Sequence, residues 1–182
     1  LHQAVQNLVN LSLLRRHDAP ATAQSLARRA LELVRQLGDT HYEPHVLTTM
    51  GLALLAHRRE EQAVEFLQAA IRLTQRSGDA YVESWAQSVL AEALTRRGLW
   101  RAARDAIRRG LEVSWAMGDR ALVMFHLGAA ARLAGAIGES TWARRAWAVV
   151  AQAPEARGEL LAEAMAQSDS TVAAAPVLTL FV

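Results

Sequence analysis

The chain has 182 residues, 52% of them hydrophobic and 21% charged, enough apolar matter for a core of ordinary domain size and too much for a disordered chain. It has no cysteine, which excludes disulfides, thiolate metal sites and cysteine catalysis, and a cytoplasmic location fits that composition. All 20 basic residues are arginine, and 18 acidic residues interleaved with them leave a formal net charge of only +2.

Alanine, leucine and arginine dominate while glycine and proline gather in turns, so intrinsic propensity alone predicts an all-α protein. The first helix is expected over Leu1 to His17, with Val5, Leu8, Leu11 and Leu14 at helical spacing. Asp18-Ala19-Pro20 starts a second helix that runs to Leu37, where Gly38 supplies a left-handed cap and Asp39 a turn residue. Glu43 to His57 and Glu60 to Ser77 form the second pair, and Ala80 to Arg97 and Leu99 to Met117 the third, with Gly98 and Gly118 as caps. The fourth pair, Arg120 to Ala136 and Ser140 to Ala153, is loosened by Gly128, Gly135 and Gly138 and reads as a terminal unit. A capping helix is expected within 154–167, followed by a linker and a strand-like tail over 168–182 that either folds back or opens a further domain. No apolar run of about 18 residues offers a membrane span and the first residues carry no signal-peptide pattern, while a start at Leu1 suggests a piece of a longer parent.

The pairs repeat. Gly38-Asp39, Gly78-Asp79 and Gly118-Asp119 recur at a spacing of 40, as do Ala23, Ala63, Ala103 and Ala143. A small residue lies 12 positions before three of those alanines, at Gly51, Ala91 and Ala131, with Leu11 in its place in the first unit. Small residues in register are what two closely crossing helices demand.

Gly51, Leu54, Ala63, Leu67 and Ala70 together resemble the tetratricopeptide repeat, as do Ala91, Leu94, Ala103 and Ile107 in the third unit, where Gly110 replaces the usual second alanine. The resemblance covers residues 1 to about 153, without the family's common Trp, Tyr and Pro. It implies a right-handed superhelical solenoid of four hairpins. The long unit ending in Gly-Asp looks like the repeats of large bacterial transcriptional regulators related to the maltose regulator and the antibiotic regulatory proteins. That likeness implies a sensor or scaffold segment beside other domains. The alternative is a structural module for self-association or complex assembly, unrelated to transcription.

In such a solenoid the first helix of each unit lines the concave face, which gives a candidate groove. Its residues are Leu8, Ser12 and Arg15; His45, Thr48 and Leu52; Trp85, Ser88 and Glu92; and Phe125 and Arg132. Aromatic anchors among charges suit a protein or peptide partner or a mid-sized effector with one charged group; Trp85 and Phe125 could equally pack between units. Trp100, Trp115, Trp142 and Trp147 are expected to fill gaps between units. His41 and His45 stand four apart, the spacing of two metal ligands on one helix face, yet no third ligand accompanies them and no metal or other cofactor is expected. Six Arg-Arg pairs raise a nucleic-acid face, but solvated surface and cations at helix C-termini account for them, leaving nucleic acid to other domains of a longer parent. With no phosphate loop, nucleophile elbow or acid pair in a supporting context, no enzymatic activity is expected.

Overall fold

In a computed structural model, whose described residues are 2–156 and 158–168, the chain is all-helical. The strand-like tail expected toward the C-terminus lies outside these residues. The helices are α1 (His2–Arg15), α2 (Pro20–Gln36), α3 (Glu43–Ala56), α4 (Glu60–Ser77), α5 (Ala80–Arg96), α6 (Trp100–Met117), α7 (Arg120–Ala136), α8 (Ser140–Gln152) and α9 (Gly158–Gln167). Pro20, Glu60, Trp100 and Ser140 open the second helices at the 40-residue period of the sequence.

Each helix packs on its neighbours in the chain, and each odd-numbered helix also packs on the next odd one. Among the described residues the even-numbered helices do not meet one another, so the odd helices form the inner layer of a helical solenoid and the even ones the outer. Layering explains the composition of each helix. α3 and α5, flanked on several sides, bury Val46, Leu47, Met50, Leu54, Val89 and Leu94, whereas α4 and α6 bury a stripe such as Ala63, Leu67, Ala70 and Ile71 and give the rest to solvent. The main core runs from Val5 to Leu133, and a second cluster at Leu127, Trp147, Val150 and Leu160 joins α7, α8 and α9; Trp142 packs against both.

The Gly-Asp dipeptide does two jobs at once. Gly78 and Gly118 adopt left-handed φ values of 77° and 70°, ending α4 and α6. The next residue then caps the following helix: Asp79 accepts the Val82 N–H and Asp119 the Leu122 N–H, each at 3.0 Å. Asp119→Ala is therefore expected to lower stability by about 1 kcal/mol, read as a reduced urea midpoint at unchanged slope. An unaltered midpoint would show that the cap contributes nothing.

The turns inside the hairpins carry a matching motif. In the second, the Arg58 N–H donates to Leu55 O and the Arg59 N–H to Leu54 O; in the third, Gly98 and Leu99 donate to Thr95 and Leu94, and in the fourth Gly138 and Glu139 donate to Gly135 and Ala134. Gly98 and Gly138 take φ values of 73° and 90° there, and Arg58 takes 58°, the sole non-glycine residue among the described ones with positive φ. A Cβ in that region costs roughly 1–2 kcal/mol.

The first hairpin departs from the period. Its turn spans 16–19, one residue longer than 57–59, 97–99 and 137–139. α1 is thereby rotated by one residue: Ser12, not Leu11, meets Ala23, donating its hydroxyl to Ala23 O at 2.8 Å. Leu11 and Leu14, 40 positions before the buried Gly51 and Leu54, are 45% and 75% exposed. Two of the tryptophans also differ from expectation. Trp147 is buried and Trp142 half-buried, but Trp100 and Trp115 lie on the outer layer at 41% and 71% exposure and fill no gap.

Candidate functional site

A groove of about 620 Å³ runs along the inner helices, with walls from α1, α3, α5 and α7 and one end closed by α9. Leu52, Trp85, Ser88, Glu92, Phe125 and Arg132, all candidates from the sequence, line it. They share one face because they fall on successive first helices in the 40-residue register, with Leu52, Glu92 and Arg132 at one position and Trp85 and Phe125 at another. Phe125 is 43% exposed, an uncovered aromatic face within the groove, and Trp85 is half-buried against the core.

The other candidates lie elsewhere. Ser12 is buried against Ala23, and Thr48 is buried with its hydroxyl donating to Pro44 O at 2.9 Å. Leu8 packs against the core, and Arg15 pairs with Asp18 in the turn at 2.9 Å. His45 stands beneath the groove, its ring centroid 4.9 Å from both Tyr42 and Trp85. Burial lowers its pKa, with Asp79 acting weakly the other way, so the ring is neutral and braces Trp85. From α1 and its turn the groove instead receives Leu13, Arg16 and His17, each 39 positions before Leu52, Leu55 and Ala56 rather than 40. The longer first turn accounts for the whole discrepancy.

Sequence periodicity also missed the contribution of α9. Leu160 and Glu163 reach the groove because α9 folds back over α7 and α8. Arg132 makes a forked contact with Glu163, Nε lying 3.0 and 3.1 Å from the two carboxylate oxygens, while its guanidinium sits 5.3 Å from the Trp147 ring. Arg96 donates to Leu55 O at 2.9 Å and meets Glu92 at 2.5 Å, tying the α3 C-terminus to α5. The site is thus an apolar floor edged by fixed charges, a surface suited to recognition. Among the described residues no three His, Asp or Glu side chains gather to hold a metal ion; His41 is exposed and apart from His45 in environment.

Behind the groove wall, His126 of α7 is fully buried, its Nε2 3.0 Å from the Ser84 hydroxyl, which also lies 3.3 Å from Gly110 O. Its Nδ1 has no hydrogen-bond partner among the described residues, and burial lowers its pKa from 6.5 to about 4. Gly110 stands where Ala30 and Ala70 stand in earlier units because the His126 ring occupies the space of its missing Cβ.

These features define an all-helical repeat protein of the solenoid class, with a groove on its inner face. The family model described as cohesin loading factor matches residues 1–99, from α1 through α5, and the chain belongs to that family. This corrects the tetratricopeptide and bacterial-regulator resemblance, since the match over those residues is to the cohesin loading factor family and not to either of them. No curated protein matches the chain. Among the described residues no helix is long and apolar enough to cross a membrane.

Proposed function

We propose that the chain is a non-enzymatic helical module for assembling a protein complex, and that it holds a segment of a protein partner in its inner groove. The observation that carries this reading is the groove lining of exposed Phe125 with half-buried Trp85 and Leu52, running across three units and edged by Arg96–Glu92 and Arg132–Glu163. Such a surface combines aromatic anchors, which dominate binding energy, with charges already oriented before a partner arrives. A groove shared by several units suits an elongated segment better than a compact effector. Membership of a family described as cohesin loading factor supports a protein-assembly role.

The reading is tested with a partner recovered by affinity capture on the 182-residue chain. Changing Trp85 and Phe125 to Ala together is expected to weaken its binding by at least about 30-fold, near 2 kcal/mol, with helix content by circular dichroism retained. Undiminished binding by the folded double variant would remove the groove from the account and leave assembly through the outer helices.

A further inference from the structure

The turn at 57–59 carries an arginine where the turns of the third and fourth hairpins carry glycine, and that arginine lines the groove. Arg58 lines the cavity beside Leu55 and Ala56 at the end formed by α1 and α3. Its backbone holds the left-handed conformation that Gly98 and Gly138 adopt without strain. The two flanking side chains fix the turn, His57 Nδ1 lying 3.0 Å and Arg59 Nη1 3.4 Å from Oε1 of the buried Gln24. Those bonds leave Arg58 with no part in holding the turn beyond its backbone, so the strain of a side chain here serves something other than the fold.

Charge supplies the second line of argument. The groove lining contains four arginines, 16, 58, 96 and 132, against two glutamates, 92 and 163. Arg96 and Arg132 are matched to Glu92 and Glu163. The Arg58 guanidinium has no carboxylate partner among the described residues. An unpaired, five-donor fork at the edge of an apolar floor is suited to a carboxylate presented in a fixed position.

Resting on the groove reading above, we propose that Arg58 selects the partner segment by its charge. The occupant is an acidic–apolar stretch of another protein, with apolar side chains over Leu52, Trp85 and Phe125 and an Asp or Glu engaged by Arg58. The arginine is kept at a strained position because a glycine there would leave the floor intact but the acid unread.

The test is selection of a random peptide library displayed on phage against the 182-residue chain, against Arg58→Gly, and against the chain with Trp85 and Phe125 changed to Ala. The wild-type chain is expected to enrich peptides with Asp or Glu beside apolar residues. Arg58→Gly is expected to enrich apolar peptides without the acid, and to bind a wild-type-selected acidic peptide about 10-fold more weakly, near 1.4 kcal/mol, with a steeper loss at low salt than at high. Its Tm should rise by roughly 2–4 °C as the strain is relieved, so weaker binding cannot be blamed on unfolding. Equal acid enrichment by both chains overturns the role of Arg58 while leaving the groove in place. Selection that the Trp85/Phe125 variant reproduces unchanged overturns the groove and Arg58 together; a wild-type dimer in light scattering that this variant converts to monomer leaves the groove and overturns the acidic partner segment, since a second copy would then fill the site.

Discussion

Adding one methyl group at position 110 is expected to destabilise the fold by about 3 kcal/mol, the upper end of the usual cost of overfilling a core. Gly110 lies in the middle of α6, where glycine is otherwise a poor choice, and its Cβ would overlap the His126 imidazole. That ring cannot simply swing aside. It is fully buried, and its Nε2 is engaged by Ser84 of α5. For a chain of this length the loss should appear as a Tm lower by about 10 °C. The preceding unit shows the remedy, because Ala70 and Ala86 stand at the register positions of Gly110 and His126, and both are fully buried. Combining Gly110→Ala with His126→Ala rebuilds that pair and should recover more than about 1 kcal/mol relative to Gly110→Ala alone. Additive effects would mean that the two positions do not share the space assigned to them.

Acid is expected to act through the same residue. Burial keeps His126 neutral in the folded chain down to about pH 4, whereas in the unfolded chain it takes up a proton near its ordinary 6.5. Between these values the unfolded state binds more protons, so stability falls as pH falls. The contribution of the neutral ring is whole above pH 6.5 and is lost by about pH 4, a change of about 3 kcal/mol. His45, whose pKa burial also lowers, pushes in the same direction. Urea midpoints measured from pH 7 down to pH 4 should therefore decline steeply in the wild type and more gently in the Gly110→Ala/His126→Ala chain. Parallel declines in the two would show that His126 is not the acid-labile group.

The period of the chain was legible because one dipeptide performs two local tasks. Gly78 and Gly118 need a left-handed residue to end a helix, and Asp79 and Asp119 cap the next, so both residue types recur wherever one unit meets another. Small residues at Gly51, Ala91 and Ala131 likewise announced close crossings, and Leu67 shows why: it lies 2.6 Å from where a Gly51 Cβ would stand. What could not be read was length hidden in a turn. One extra residue among 16–19 rotates α1, moving Ser12 into the crossing and putting Leu13, Arg16 and His17 in the groove in place of Leu8 and Arg15. Proline 20 at the start of α2 marks where that turn ends but not how many residues it consumes.

Contacts between distant segments were hidden for a different reason. Nothing in local spacing joins Glu163 to Arg132 or Leu160 to the groove, since those meetings depend on how α9 lies across α7 and α8. Arg58 was disguised as one of many surface arginines; the signal that could have found it is its register with Gly98 and Gly138. Gly110 was visible as a departure from alanine, and its cause, the ring of His126, sits on the following helix.

The central claim, that a protein partner is held on the inner face, is tested most directly by site-specific photo-crosslinking in cells. A photoreactive amino acid placed at Leu52, on the groove floor, is compared with one at Trp115, 71% exposed on the outer layer. A crosslinked species containing a second, different protein is expected from position 52 and not from position 115. Crosslinks from position 115 alone would place the partner on the outer helices and contradict the groove.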